Sequence, residues 1–74
     1  MPYSQQEKEA LQKVGKAIRL AREEQGISQE ELAYQAGVAR AYMGTVERGE
    51  RNVSILLLSR IAETLGIPLA QFFK

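Results

Sequence analysis

An all-α fold, a compact set of five short helices with a helix-turn-helix at the second and third, is predicted by three features of this 74-residue chain. Serines that suit helix starts recur at Ser4, Ser28 and Ser54, and glycines close the apolar-periodic stretches at Gly26, Gly37, Gly49 and Gly66. No stretch alternates apolar and polar residues as a half-buried strand does. The length allows one domain, residues 1–74, and at this size a core alone gives marginal stability unless packing is efficient or two chains associate.

The first helix starts with Ser4 and Glu7 as a capping box, sets Leu11, Val14, Ile18 and Ala21 on one face, and ends at Gly26. Gly15 interrupts it, and an interior glycine costs roughly 1 kcal/mol against alanine. Either a neighbouring helix passes close at that point, or residues 1–14 form a helical extension joined at a weak point. In the second helix Ser28 caps, Glu31 completes a second box, Leu32, Ala33 and Ala36 face inward, and Gly37 terminates. The third runs from about Ala39 to Arg48, with Met43 and Val46 inward and Gly49 as its stop. The fourth is capped by Ser54 and is expected to bury Ile55, Leu58, Ile61, Ala62 and Leu65 before Gly66. Pro68 opens a last turn, LAQFF, as suits the first helical position.

Composition narrows the functional classes. With no cysteine and no histidine the chain has neither a disulfide framework nor a cysteine/histidine zinc site, and it lacks the commonest general base. No glycine-rich phosphate loop or metal spacing appears, so no metal, cofactor or small-molecule ligand is expected, and an enzyme is disfavoured. The apolar runs, such as Ile55 to Leu58, are too short for a bilayer, and the polar start MPYSQQEKEA is unlike a signal peptide. A cytoplasmic protein without a membrane segment is expected. The net charge is +1, but residues 38–74 carry five basic and three acidic side chains against five and six in residues 1–37. The positive excess therefore lies in the half that begins with the third helix.

That helix carries the functional signal. At about 100° per residue, Ala39, Met43 and Val46 share one side, while Arg40, Ala41, Gly44, Thr45 and Arg48 share the other. The outward side is small and polar where a solvated helix would carry long charged residues. Gly44 suits a surface that another body must approach closely, or is simply tolerated. Arg40, in the first turn, has the planar fork that pairs with guanine O6 and N7, worth roughly 1 to 3 kcal/mol of discrimination. Thr45, one turn on, suits a thymine methyl or a base-edge acceptor. Arg48, Arg51 and Asn52 at the helix exit suit phosphates, which fix register without carrying sequence information.

The stretches GKAIRLAREEQGISQEELA, Gly37 at the turn, ERGERNVS and LSRIAETLGIPLAQFF together resemble the DNA-binding domain of the lambda-repressor and Cro family, also called XRE-type, from Gly15 to Phe73. The resemblance implies a five-helix lambda-repressor-like fold. It also implies that Gln29 contacts a phosphate and braces the recognition helix. Ala39, Arg40, Ala41 and Thr45 would then face bases, while Arg22 and Glu47 would form a largely buried structural ion pair. Within the family the chain is similar to the controller proteins of restriction-modification systems, which bind palindromic operators as homodimers and regulate their own promoter. Because Ala39 and Ala41 offer few hydrogen bonds, Arg40 would carry much of the direct readout and DNA shape the rest.

Leu56 lies opposite the inward stripe of the fourth helix, and the last turn adds Leu69, Phe72 and Phe73. Together they suit a two-fold interface that sets two recognition helices about 34 Å apart on double-stranded DNA. Alternatively Phe72 and Leu69 close the chain's own core and Leu56 is an ordinary exposed leucine. A rival reading is a protein-binding helix-turn-helix module, an antitoxin or antirepressor acting through this apolar C-terminal patch.

Overall fold

Four α-helices and a terminal 3-10 turn follow in order: α1 (Gln5–Glu24), α2 (Gln29–Ala36), α3 (Arg40–Glu47), α4 (Ile55–Leu65) and the turn Leu69–Phe73. The computed structural model describes residues 2–74, and among these there is no strand. The architecture is all-α as predicted, but the fifth segment is a 3-10 turn and not a fifth α-helix. Pro68 starts it, and five residues are too few for a helix that must leave its terminal backbone groups unpaired.

The ends of the helices follow local chemistry. At the start of α1, Ser4 Oγ accepts from the Glu7 amide at 3.1 Å and Glu7 Oε1 accepts from the Ser4 amide at 2.9 Å, a complete capping box. At α2 only half of the expected box forms. Ser28 Oγ accepts from the Glu31 amide at 3.0 Å, but the Glu31 carboxylate accepts from the Gln35 side chain one turn on. Gly37 closes α2 with φ +79°, a left-handed conformation that glycine adopts without a Cβ clash, and so sets the angle at which α3 leaves α2.

A single apolar cluster joins all five elements. Val14 and Ile18 of α1, Leu32, Ala33 and Ala36 of α2, Met43 and Val46 of α3 are buried with Leu57, Leu58, Ile61, Ala62 and Leu65 of α4, and Phe72 closes it. In α4 the burial differs from expectation: Ile55 is 65% exposed and Leu57 is buried. The two lie on opposite edges of the stripe formed by Leu58, Ile61 and Leu65; Ile55 is the first residue of α4 and is left uncovered, although Ala62, two turns on along the same edge, is buried.

Gly15 resolves the alternatives left open for α1. The helix runs unbroken through it, and a methyl group there would stand 2.4 Å from the Val46 carbonyl oxygen and 2.6 Å from that of Glu47. Backbone therefore meets backbone where α1 crosses the end of α3, a contact that only glycine permits. At the other end of α1 the Gln25 side chain donates from Nε2 to the Leu65 carbonyl, tying α1 to the end of α4.

Candidate nucleic-acid interface

The orientation of α3 is fixed by a charged cluster beneath its last turn. Arg22 on α1 donates from Nε to Glu47 Oε2 at 2.8 Å and from Nη2 to Oε1 at 3.0 Å, and its Nη1 reaches the Ile27 carbonyl at 3.0 Å. Gln29 on α2 adds a third donor to the same carboxylate, Nε2 to Oε1 at 3.1 Å. The Glu47 side chain is 2% exposed and that of Arg22 12%. The hydrogen bond that it donates to Glu47 holds the Arg22 guanidinium above its ordinary pKa, against the opposing pull of burial. Three helices thus converge on one carboxylate, in the fork-on-fork geometry that gives charge-assisted bonds their strength and direction.

Above this cluster lies an open groove lined by Gln29, Arg40, Ala41, Gly44, Thr45 and Arg48. Arg40 and Ala41 are exposed and Thr45 is half-buried. The ion pairs among the described residues are Arg22–Glu47 and Arg48–Glu50, so the Arg40 guanidinium has no carboxylate within 4.0 Å. Thr45 Oγ1 donates to the Tyr42 carbonyl at 2.6 Å, which occupies its proton. What Thr45 offers outward is its methyl group and an accepting oxygen, not the hydroxyl donor that a base-edge acceptor requires.

Gly44 is buried, and the reason lies within the chain. A methyl group on it would stand 3.2 Å from Arg48 Nη1 and 3.4 Å from Gln29 Oε1, so its bareness lets these two side chains lie flat across the helix. Ala39 is exposed and serves as the N-cap of α3, with extended backbone, instead of sharing the inward side with Met43 and Val46. Gln29 is the first residue of α2, and because its Nε2 is turned to Glu47, its Oε1 faces Gly44.

The helix exit is more engaged than the sequence suggests. Arg48 donates to Glu50 through Nε at 3.1 Å and Nη2 at 3.2 Å, and Glu50 holds the exposed Arg48 guanidinium above its ordinary pKa. The Arg51 guanidinium lies 5.9 Å from the centre of the Tyr42 ring, within cation–π range. Asn52 faces Tyr3, Glu7, Ala10 and Leu11 of the N-terminal segment. Residue pattern assigns no functional role to Tyr42, Glu50 or the first turns of α1, which it reads only as a capped helix start. Glu50 stands two residues from Arg48 in ERGER, which is the one signal that pointed to it.

The surface expected to pair two chains divides. Leu56 is 62% exposed and Phe73 50%, with Ile55 beside Leu56, whereas Leu69 is half-buried against the core. Phe72 is fully buried, so its assignment to a subunit interface is corrected. The 3-10 turn packs on α1 and α4, and the ring fills the space between them. No helix of the described residues is long and apolar enough to cross a membrane.

The family model described as helix-turn-helix, HTH_3, matches residues 18–72. Control protein C.MunI of Mycoplasma sp. is 40% identical over 59 residues, which are 80% of this chain and 80% of that protein. The crystal structure of the restriction-modification controller protein C.AhdI from Aeromonas hydrophila has a TM-score of 0.83 at 43% identity, over 85% of this chain and 96% of that one. The structure of SinR, a master regulator for biofilm formation, in complex with DNA has a TM-score of 0.77 at 34% identity, over 82% of this chain and 98% of that one. The chain belongs to the helix-turn-helix family of the XRE type, and its similar relatives are transcriptional regulators, restriction-modification controller proteins among them.

Proposed function

We propose that this protein is a sequence-specific regulator of transcription that binds a palindromic operator in double-stranded DNA as a homodimer, in the manner of an autoregulatory restriction-modification controller. The observation that carries the reading is an uncommitted Arg40 on a small-residue face of α3, held in place by the Arg22–Glu47–Gln29 cluster. With α3 in the major groove, Ala39, Arg40, Ala41 and Thr45 face the bases. Arg40 reads guanine, and the Thr45 methyl suits a thymine methyl. Gln29 contacts a phosphate through its backbone amide, because the first amides of a helix lack partners within it and its side chain is turned to Glu47. Arg48, Arg51 and Asn52 contact the phosphate backbone at the exit of α3.

Pairing is supported by the exposed apolar groups Leu56, Ile55 and Phe73, with Leu69 at their margin. A symmetric dimer matches a palindrome with half-sites about one helical turn apart, and its affinity falls on the order of a thousand-fold between 50 and 200 mM salt if about six to ten phosphates are contacted. Selection of bound sites from random duplex DNA tests both parts. Enrichment of a palindrome is the expected result; no enrichment at all overturns the reading. Sedimentation of the wild type and of Leu56→Asp tests the pairing, with dimer expected for the first and monomer for the second.

The same exposed leucine, isoleucine and phenylalanine support one other reading, a protein-binding module such as an antitoxin or antirepressor. A protein groove favours large apolar anchors, however, and the α3 face offers arginine, alanine and glycine instead.

A further inference from the structure

α1 begins at Gln5 although the family match begins at Ile18, and the helix-turn-helix does not account for this N-terminal part. Its first half is laid across the turn that follows α3. A methyl group on Gly49 would stand 2.7 Å from Gln12 Cγ and 2.8 Å from Gln12 Cα, so the α1 backbone rests directly on that glycine. Gly15 rests in turn on the carbonyls of Val46 and Glu47. Held at both points, and capped by Ser4 and Glu7, the first turns of α1 have one position relative to the exit of α3.

That position makes a second open groove, in which Pro2, Tyr3, Lys8 and Gln12 face Arg48, Gly49 and Glu50. Lys8 has no carboxylate within 4.0 Å among the described residues. Arg48 is engaged by both oxygens of Glu50, at 3.1 and 3.2 Å, the two-point arrangement that a guanidinium also makes with a phosphate. Arg48 lines this groove and the α3 groove alike, so a DNA strand following the exit of α3 passes both.

Resting on the DNA-binding reading above, we propose that this groove is an additional DNA-backbone site in which Lys8 and Arg48 hold a phosphate and Glu50 occupies its place in the free protein. The N-terminal segment then widens the footprint on the duplex without reading sequence. Glu50 acts as a built-in competitor: a phosphate must displace it, which keeps non-specific affinity low.

The test is fluorescence anisotropy of the full chain with a labelled duplex of random sequence, titrated at several salt concentrations between 50 and 200 mM. For Lys8→Gln the slope of log K against log salt is expected to shrink by about 0.9 per protomer, with weaker binding and an unchanged melting temperature. For Glu50→Gln binding is expected to tighten several-fold. Wild-type binding with Lys8→Gln indistinguishable from it overturns the groove alone, as does a Glu50→Gln variant that binds equally or more weakly. A wild type that binds no duplex even at 50 mM salt overturns the DNA reading and the groove together.

Discussion

Two arginine–glutamate pairs end α3, and their contrast organises the molecule. Arg22–Glu47 and Arg48–Glu50 have the same chemistry and the same two-point geometry, with closest contacts of 2.8 and 3.1 Å. Their side chains are 12% and 2% exposed in the first pair, 60% and 55% in the second. Burial decides what each can do. Around Glu47 no water stands ready to replace a lost donor, so the pair is a fixed strut between α1 and α3. Around Arg48 water, a carboxylate and a phosphate are all competent partners, so the pair is exchangeable. The chain passes from the first environment to the second in one residue, from Glu47 to Arg48.

The largest effect that could break this contrast is on stability. Glu47→Ala strands the Arg22 charge and a Gln29 donor, and is expected to cost about 3 to 5 kcal/mol. At about 4 to 8 °C per kcal/mol for a domain of this size, the melting temperature falls by roughly 12 °C or more. A calorimetric drop of only a few degrees would show that the two pairs are equivalent. Replacing both partners, Arg22→Met with Glu47→Leu, is expected to recover much of the loss, because no charge is then left alone.

Next in size is the contact beside the strut. Gly15→Ala places a methyl group against two carbonyl oxygens of α3, and backbone cannot swing aside as a side chain can. The expected loss is about 1 to 3 kcal/mol by urea unfolding, although alanine is the better helix former. A neutral or stabilising result would mean that α1 and α3 separate easily, which the strut should prevent.

Local chemistry made much of this legible in advance. Ser4 and Glu7 announce their cap, Gly37 its turn, and Met43 and Val46 their inward side, because each rests on near neighbours in sequence. Arg22 and Glu47 are joined only by the family resemblance, since 25 positions separate them and no periodicity links them. What the sequence does not show depends on tertiary packing. Ile55 and Leu57 are equally apolar, and only the placement of α4 decides which is covered. Phe72 reads as part of an interface from its apolarity near the end of the chain, and only the 3-10 turn folded onto α1 and α4 makes it core. The groove that Lys8 and Arg48 share needs α1 laid across Gly49, a contact between segments that sequence alone does not join.

Arg40→Ala sharpens the contrast from the functional side. The side chain is exposed and unpaired, so unfolding should be unaffected, while discrimination between the operator and single-base variants should fall by roughly 1 to 3 kcal/mol at the guanine it reads. Competition binding with substituted operators measures this. Equal weakening on every sequence would place Arg40 among the phosphate contacts.

The smallest expected effect is the most discriminating. Arg48→Ala should leave the melting temperature where it is, because an exposed pair replaces one hydrated geometry with another and gains little by forming. Salt provides the internal control. With a Debye length of about 10 Å at 0.1 M, added salt screens the exposed pair and scarcely reaches the buried one. The stability gap between wild type and Glu47→Ala should therefore persist from low to high salt, while any small gap for Arg48→Ala should vanish. If instead Arg48→Ala were destabilising at all salt concentrations, the exit of α3 would depend on Glu50 for its shape. Arg48 could not then be released to a phosphate without loosening the turn that seats α1.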